Sequence, residues 1–149
     1  MDRVSLIYTR AALIWLVAGV ALGTAMLSDA LTPGEWREWF APTHGHMLFV
    51  GWFLQFAVGI AYWLLPRRRT PKIPLGYSER LAFAGMLLLN AGLLLRLIAE
   101  PAEQMGAQRG VDVVLAVSGL AQLAAVVIIA RQIWPRLRGR PARDGSGSP

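Results

Sequence analysis

The stretch THGHMLFVGWFLQFAVGIAYWLLPRRR, residues 43–69, decides the fold of this chain. Apart from Gln55, its middle is apolar over about the 20 residues that a helix needs to cross the hydrocarbon core of a bilayer. Pro66 and three arginines end the run, as expected where a membrane helix reaches a polar surface. The only two histidines of the chain, His44 and His46, stand at its start. The stretch therefore predicts a transmembrane helix with both imidazoles at one end.

The rest of the chain has the same apolar character. Hydrophobic residues make up 55% of its 149 residues, and they fall in long runs rather than in alternation. Besides residues 44–65, three runs are long enough to span a membrane, at about 7–27, 80–99 and 111–134. The sequence therefore predicts an all-α integral membrane four-helix bundle over residues 1–137, followed by a disordered cytoplasmic tail over residues 138–149.

The basic residues lie mainly on one side of these spans. Most of the 15 lysines and arginines fall in the N-terminal segment, in the loop between the second and third spans, or in the tail. The positive-inside rule then puts both termini in the cytoplasm, and we expect a multi-pass protein of the bacterial inner (cytoplasmic) membrane. The net charge of +6 therefore reflects the orientation of the chain in the membrane. For this reason we do not expect nucleic acid as a partner.

Polar side chains inside the spans are few, and each needs a partner or a function because burial in lipid is costly. They are His44, His46, Gln55, Asn90, Arg96, Ser118 and Gln122. We expect Gln55, Asn90 and Gln122 to form hydrogen bonds between helices. Arg96 lies at the same depth as the histidines, because the third span runs opposite to the second. It either pairs with Glu100 one turn later or binds the propionate of a haem.

The two histidines allow more than one interpretation. They can be polar residues that cap a helix at the membrane interface, or neutral nitrogen ligands of a metal or haem. A copper site of nitrogen and sulfur ligands would use Met47 with Met26 or Met105. At about 100° per residue, the two imidazoles diverge by about 200° if the helix extends back to His44. If His44 lies in the N-cap region instead, the pair can converge on one site.

The pattern H-x-H-x4-G-W-x6-G-I-x-Y-W-L-L-P, residues 44–66, resembles a helix of haem–copper (cytochrome c or quinol) oxidase subunit I, and especially of short, NnrS-like membrane relatives. The segment LLLNAGLLLRLIAEP, residues 87–101, is similar to the helix that follows in those short proteins. In that family the second helix carries, near its outer end, a histidine ligand of the low-spin haem. The resemblance therefore implies haem b as cofactor, with His44 or His46 as metal ligand and Arg96 beside the cofactor; copper is the less favoured metal.

The chain departs from a full subunit I, which has more helices and more histidines. It also has no cysteine, which excludes disulfides and thiolate metal sites, and its sequence holds no catalytic set of side chains. We therefore do not expect it to be an enzyme on its own. A second axial ligand would come from a methionine, another chain or a symmetric copy, so we expect a homo-oligomer or a larger membrane complex. The expected role is electron transfer, sensing or assembly; the alternative is a cofactor-free small subunit or assembly partner.

Overall fold

Four helices make up the fold in the computed structural model, which describes residues 1–27, 35–66, 71, 74–107 and 109–137. They are α1 Arg3–Met26, α2 Trp36–Leu64, α3 Glu79–Gln104 and α4 Val111–Leu137. Each is long and apolar enough to cross a membrane, and no strand occurs among the described residues. The predicted all-α, four-span membrane fold is confirmed. The predicted disordered tail, residues 138–149, lies outside the described part of the chain.

Short polar residues set the starts of α1 and α3. The carboxylate of Asp2 accepts a hydrogen bond from the backbone N–H of Ser5 at 2.9 Å, and Ser78 Oγ accepts one from the N–H of Leu81 at 3.4 Å. Both are N-cap contacts, which satisfy N–H groups that have no partner inside the helix. With these caps, α1 and α3 each begin close to the start of a predicted span, at about residues 7 and 80. Both starts lie at the same end of the bundle, where Arg3 of α1 contacts Phe83 of α3.

The second helix begins well before the predicted span, at Trp36 rather than at residue 44. Its first turns contain Arg37, Glu38 and Pro42, so hydropathy alone places the start too late. Pro42 is accommodated inside the helix, where it lacks the N–H that would bond the carbonyl four residues earlier. As a result, His44 lies inside a continuous helix and not in an N-cap region.

The middle of α2 is a π-helix over Met47–Leu54, set between the α-helical segments Trp36–His46 and Gln55–Leu64. Each hydrogen bond of a π-helix spans five residues instead of four, so a π segment has more residues per turn. Side-chain directions calculated at 100° per residue on one side of the π segment therefore do not apply to residues on its other side. π segments inside α-helices occur frequently at functional sites.

Glycines let neighbouring helices approach closely. A Cβ atom on Gly51 of α2 would lie 2.7 Å from Cγ of Trp15 on α1, and one on Gly92 of α3 would lie 3.0 Å from the carbonyl oxygen of Ser118 on α4. Small residues at such contacts are typical of membrane bundles. The main helix pairs are α1 with α2 and α3 with α4, while the N-terminal part of α2 also packs against α3.

A chain of polar side chains links three helices in the middle of the bundle. Trp15 Nε1–H donates to Asn90 Oδ1 at 2.7 Å, and Asn90 Nδ2–H donates to Gln55 Oε1 at 2.8 Å. The expected hydrogen bonds of Gln55 and Asn90 between helices are confirmed. Gln122 differs, because its side chain packs on Gly92 and its Nε2 has no hydrogen-bond partner among the described residues.

Arg136 of α4 lies buried at the end of the bundle where α1 begins and α4 ends. This side chain is only 2% exposed, and it donates to the backbone carbonyls of Tyr62, Leu65 and Pro66 at the end of α2. It thereby satisfies carbonyl groups that a helix C-terminus leaves without partners. The charge distribution predicts only that Arg136 lies on the cytoplasmic side, whereas the structure shows that its side chain caps the end of α2.

Candidate functional site

The two histidines of α2 belong to different faces of the bundle. His44 contacts α1, where its Nδ1 lies 3.0 Å from the carbonyl oxygen of Gly19. His46 contacts α3, where its Nδ1 lies 3.0 Å from Glu100 Oε1. Because the α-helix extends back beyond His44, the two rings diverge as the helical spacing predicts. The alternative in which the pair converges on one site required His44 to lie in the N-cap region, and the structure places His44 inside the helix instead.

The ring of His44 is oriented by the backbone of α1. A carbonyl oxygen only accepts hydrogen bonds, so the contact with Gly19 places the proton on Nδ1 and leaves the lone pair of the neutral ring on Nε2. The ring edge also lies against Gly23, where a Cβ atom would come within 2.6 Å of His44 Cε1. Gly23 therefore leaves the space that this imidazole occupies on α1, and Gly19, one turn earlier, provides the carbonyl oxygen that orients it.

His44 lines an open cleft of about 390 Å³ between α1 and the start of α2. The lining residues are Val20, Gly23, Thr24, Met26, Leu27, Arg37 and His44. Arg37 is anchored beside the cleft by a contact of 3.4 Å from its Nε to the carbonyl oxygen of Met26. Sequence reasoning did not single out Arg37 because it lies before the predicted span. Its spacing of seven residues from His44, about two helical turns, is the signal that places both on one face.

His46 takes part in a separate polar cluster, which we call the Glu100 cluster and define as Thr43, His46, Arg96 and Glu100. Arg96 Nη1 donates to Glu100 Oε1 at 2.7 Å, and Thr43 Oγ1 donates to Glu100 Oε2 at 2.9 Å. Glu100 is only 4% exposed, and a carboxylate buried to this extent requires such partners. Arg96 therefore forms the pairing with Glu100 that the sequence allowed, and it does not line the cleft of His44.

The methionines considered as sulfur ligands are distributed over the bundle. Met47 is 5% exposed and packs against Trp15 and Leu93, and Met105 is 54% exposed at the end of α3. Met26 shares a cleft with His44. Among the described residues, no three or more His, Asp or Glu side chains lie together as a metal-binding group. The strongest candidate for a single ligand is therefore His44 Nε2.

Comparison of the chain with known protein families, with curated proteins and with solved structures found no match. None of these comparisons supports the resemblance to oxidase subunit I, which stays a prediction from the sequence.

Proposed function

We propose that this chain is a multi-pass protein of the bacterial inner membrane that binds haem b through His44 and acts in electron transfer, sensing or assembly. The observation that carries the proposal is the hydrogen bond from His44 Nδ1–H to the carbonyl oxygen of Gly19. Histidines that ligate metals characteristically donate their other ring N–H to such an acceptor, which fixes the tautomer and the ring orientation. His44 also lines an open cleft, in which its Nε2 would bind the iron.

The residues around the cleft fit a haem at its edge. His44 Nε2 would be a ligand of the iron, and Gly23 leaves the space beside α1 that the imidazole itself occupies. Arg37 supplies a guanidinium on the same cleft, where it would pair with a propionate. A bound haem would supply one-electron chemistry, while the protein sets its axial ligand, exposure and hydrogen bonding.

A second axial ligand would come from Met26 on the same cleft or from a second copy of the chain. The cleft is open on one side, and Val20 and Leu27 on its rim are 52% and 78% exposed. In a symmetric dimer the same patch of both copies would meet, so His44 of each copy would face one haem. A homo-oligomer would thus supply the second ligand that a single chain has only in Met26.

The distribution of basic residues supports the orientation with both termini in the cytoplasm. His44, Arg96 and Glu100 would then lie toward the outer face of the membrane. Exposed apolar side chains such as Leu120 of α4, which is 65% exposed, would contact lipid or a partner chain. Haem at the outer end of α2 is also the position that the resemblance to oxidase subunit I implies.

The proposal predicts a haem b spectrum that depends on one histidine. Wild-type protein purified from haem-replete cells should show a Soret band and reduced-minus-oxidised bands of haem b. His44→Ala should reduce the haem content at least tenfold because it removes the axial nitrogen, whereas His46→Ala should retain it. Arg37→Ala should weaken haem retention several-fold through loss of a propionate partner. The measurement is the visible spectrum per mole of protein.

A colourless wild-type protein that also lacks copper by elemental analysis would contradict the proposal. It would favour the second candidate, a cofactor-free small subunit or assembly partner of a larger membrane complex. The observation behind that candidate is the Glu100 cluster, in which Thr43, His46 and Arg96 all contact one buried carboxylate without any ligand. Co-purification of colourless protein with a larger membrane protein would support it.

A further inference from the structure

The helix α4 is the most exposed of the four described spans. Only 17% of its most apolar 18-residue stretch is buried within the bundle, compared with 28–33% in the other three. Its exposed side chains include Leu120, Leu123 and Val127, which are 65%, 60% and 46% exposed. At about 100° per residue, these three side chains lie within about 60° of one another. They therefore form one apolar strip along the helix, which we call the outer face of α4.

A guanidinium group lies at one end of this outer face. Arg131 lines a surface pocket of about 280 Å³ together with Ala130 and Trp134. Arg131 is exposed, and Trp134 is 64% exposed. At the same angle per residue, all three pocket residues continue the outer face of α4. The small side chain of Ala130, one turn before Trp134, leaves space beside the indole ring.

The depth of Arg131 follows from its neighbour Gln132. Gln132 Oε1 accepts a hydrogen bond of 3.0 Å from the backbone N–H of Ser78, which caps the start of α3. Arg131 therefore lies level with a helix end, where membrane helices reach the polar interface. Leu120 lies eleven residues earlier, about 16 Å along the helix, and half of the hydrocarbon core of a bilayer is about 15 Å thick. From Leu120 to Arg131, the outer face thus spans about one leaflet.

The charge of Arg131 requires a partner from outside the bundle. Within the described part of the chain, its side chain takes part in no hydrogen bond or ion pair. Arg136, by contrast, donates to backbone carbonyls of α2. A charged group that faces lipid is costly unless it is paired or hydrated. The sequence after α4 adds Arg138, Arg140 and Arg143, so the charge at this end of α4 favours an anion.

We propose that the outer face of α4 binds an anionic glycerophospholipid. Its phosphate pairs with Arg131, and one acyl chain lies along Leu120, Leu123 and Val127. A guanidinium matches a phosphate with two parallel hydrogen bonds. The indole of Trp134 lies at the level of the headgroup, where its N–H can donate to a phosphate or ester oxygen. A zwitterionic lipid gains less at this site, because its phosphate already has a counter-charge in its own headgroup.

This lipid site does not rest on the proposed haem site. His44 contacts α1, whereas α4 packs mainly against α3. The two sites also lie at opposite ends of the bundle, since Arg131 is level with the start of α3 and the contact of His46 with Glu100 is near its end. Loss of haem would therefore leave lipid binding unchanged, and each proposal can fail alone.

The test is native mass spectrometry of the full-length protein released from detergent micelles. The protein is titrated with dioleoylphosphatidylglycerol, which is anionic, and with dioleoylphosphatidylcholine, which has the same acyl chains and no net charge. Wild-type protein should bind the first molecule of the anionic lipid about fivefold more tightly, because one basic side chain near an anionic lipid contributes about that factor. Arg131→Gln should weaken binding of the anionic lipid about fivefold and leave that of the zwitterionic lipid within about twofold. Arg131→Lys, which keeps the charge, should retain most of the preference.

Arg109→Gln is the matched control, because it removes an exposed arginine beyond the end of α3, at the other end of the bundle. It should keep wild-type affinity for both lipids. Equal wild-type affinity for the two lipids, an unchanged affinity in Arg131→Gln, or an equal loss in Arg109→Gln would overturn the proposal. Competition by inorganic phosphate at the concentration of the lipid would overturn the assignment to a lipid. A dimer that binds no lipid and is lost in Trp134→Ala would assign the outer face to a second copy of the chain instead.

Discussion

Replacing Glu100 with alanine should lower the free energy of unfolding by about 3 kcal/mol, because it leaves a partly buried arginine without its counter-charge. Arg96 and Thr43 donate hydrogen bonds to this one carboxylate, and His46 Nδ1 lies 3.0 Å from it. Cases of broken buried pairs cost about 3–5 kcal/mol. We expect the lower end, since the side chains of Arg96 and His46 are 22% and 35% exposed. The measurement is reversible unfolding in mixed micelles by titration with a denaturing detergent.

Glu103 provides the matched control for this substitution. It lies on the same helix three residues later, and it is exposed. Glu103→Ala should change stability by less than about 0.5 kcal/mol, as is usual at such surfaces. A loss below 1 kcal/mol for Glu100→Ala, or an equal loss for both variants, would show that the Glu100 cluster does not hold α2 against α3.

Replacing Gly92 with leucine should separate α3 from α4 and lower stability by about 3 kcal/mol, or prevent folding altogether. A Cβ atom at this position would lie 2.7 Å from Gln122 Cγ and 3.0 Å from the backbone oxygen of Ser118. The second contact is with main chain, which cannot move aside as a side chain can. The hydrogen bond of 2.9 Å from Ser118 Oγ to the Gly92 carbonyl would be lost as well. Overpacking costs about 1–3 kcal/mol, and a hydrogen bond between membrane helices adds about 1 kcal/mol.

Gly45→Ala is the control for Gly92→Leu, because no atom lies within 4 Å of the Cβ that it introduces. Alanine is the better helix former by about 1 kcal/mol, so this variant should be as stable as wild type or more stable. The comparison uses the same unfolding titration together with the yield of folded protein. A Gly92→Leu variant that folds with wild-type stability would contradict the close approach of α3 and α4.

The four helices were predictable because each carries an apolar run of membrane length with few charges. The hydrogen bond between Gln55 and Asn90 was predictable because an unpaired polar group in lipid is costly. The start of α2 was missed because Arg37 and Pro42 belong to a helical turn that is not apolar. That turn determines which residues form the candidate site, because it keeps His44 inside the helix and places Arg37 on the same cleft.

The partners of the histidines were not predictable from α2 alone. His44 packs on Gly23 and contacts the carbonyl oxygen of Gly19, and the spacing of these glycines on α1 is a recognisable small-residue motif. Which face of α1 meets α2, however, is set by the packing of the whole bundle. The π segment at Met47–Leu54 has no sequence signature that we recognise, and it changes the angular relation between the two ends of α2. The ion pair of Glu100 with Arg96 could be predicted from their spacing of four residues on one helix. The contact of Glu100 with His46 could not, because it joins two different helices.

The central claim is that His44 and His46 serve two different sites, one facing α1 and the other facing α3. A double-mutant cycle on stability tests it most directly, with Glu100→Ala combined in turn with His46→Ala and with His44→Ala. The account predicts a coupling free energy of about 1 kcal/mol between His46 and Glu100, as expected for a partly exposed hydrogen bond to a charged group. It predicts no coupling beyond about 0.3 kcal/mol between His44 and Glu100. Equal coupling of both histidines to Glu100, or stronger coupling of His44, would contradict the separation of the two sites.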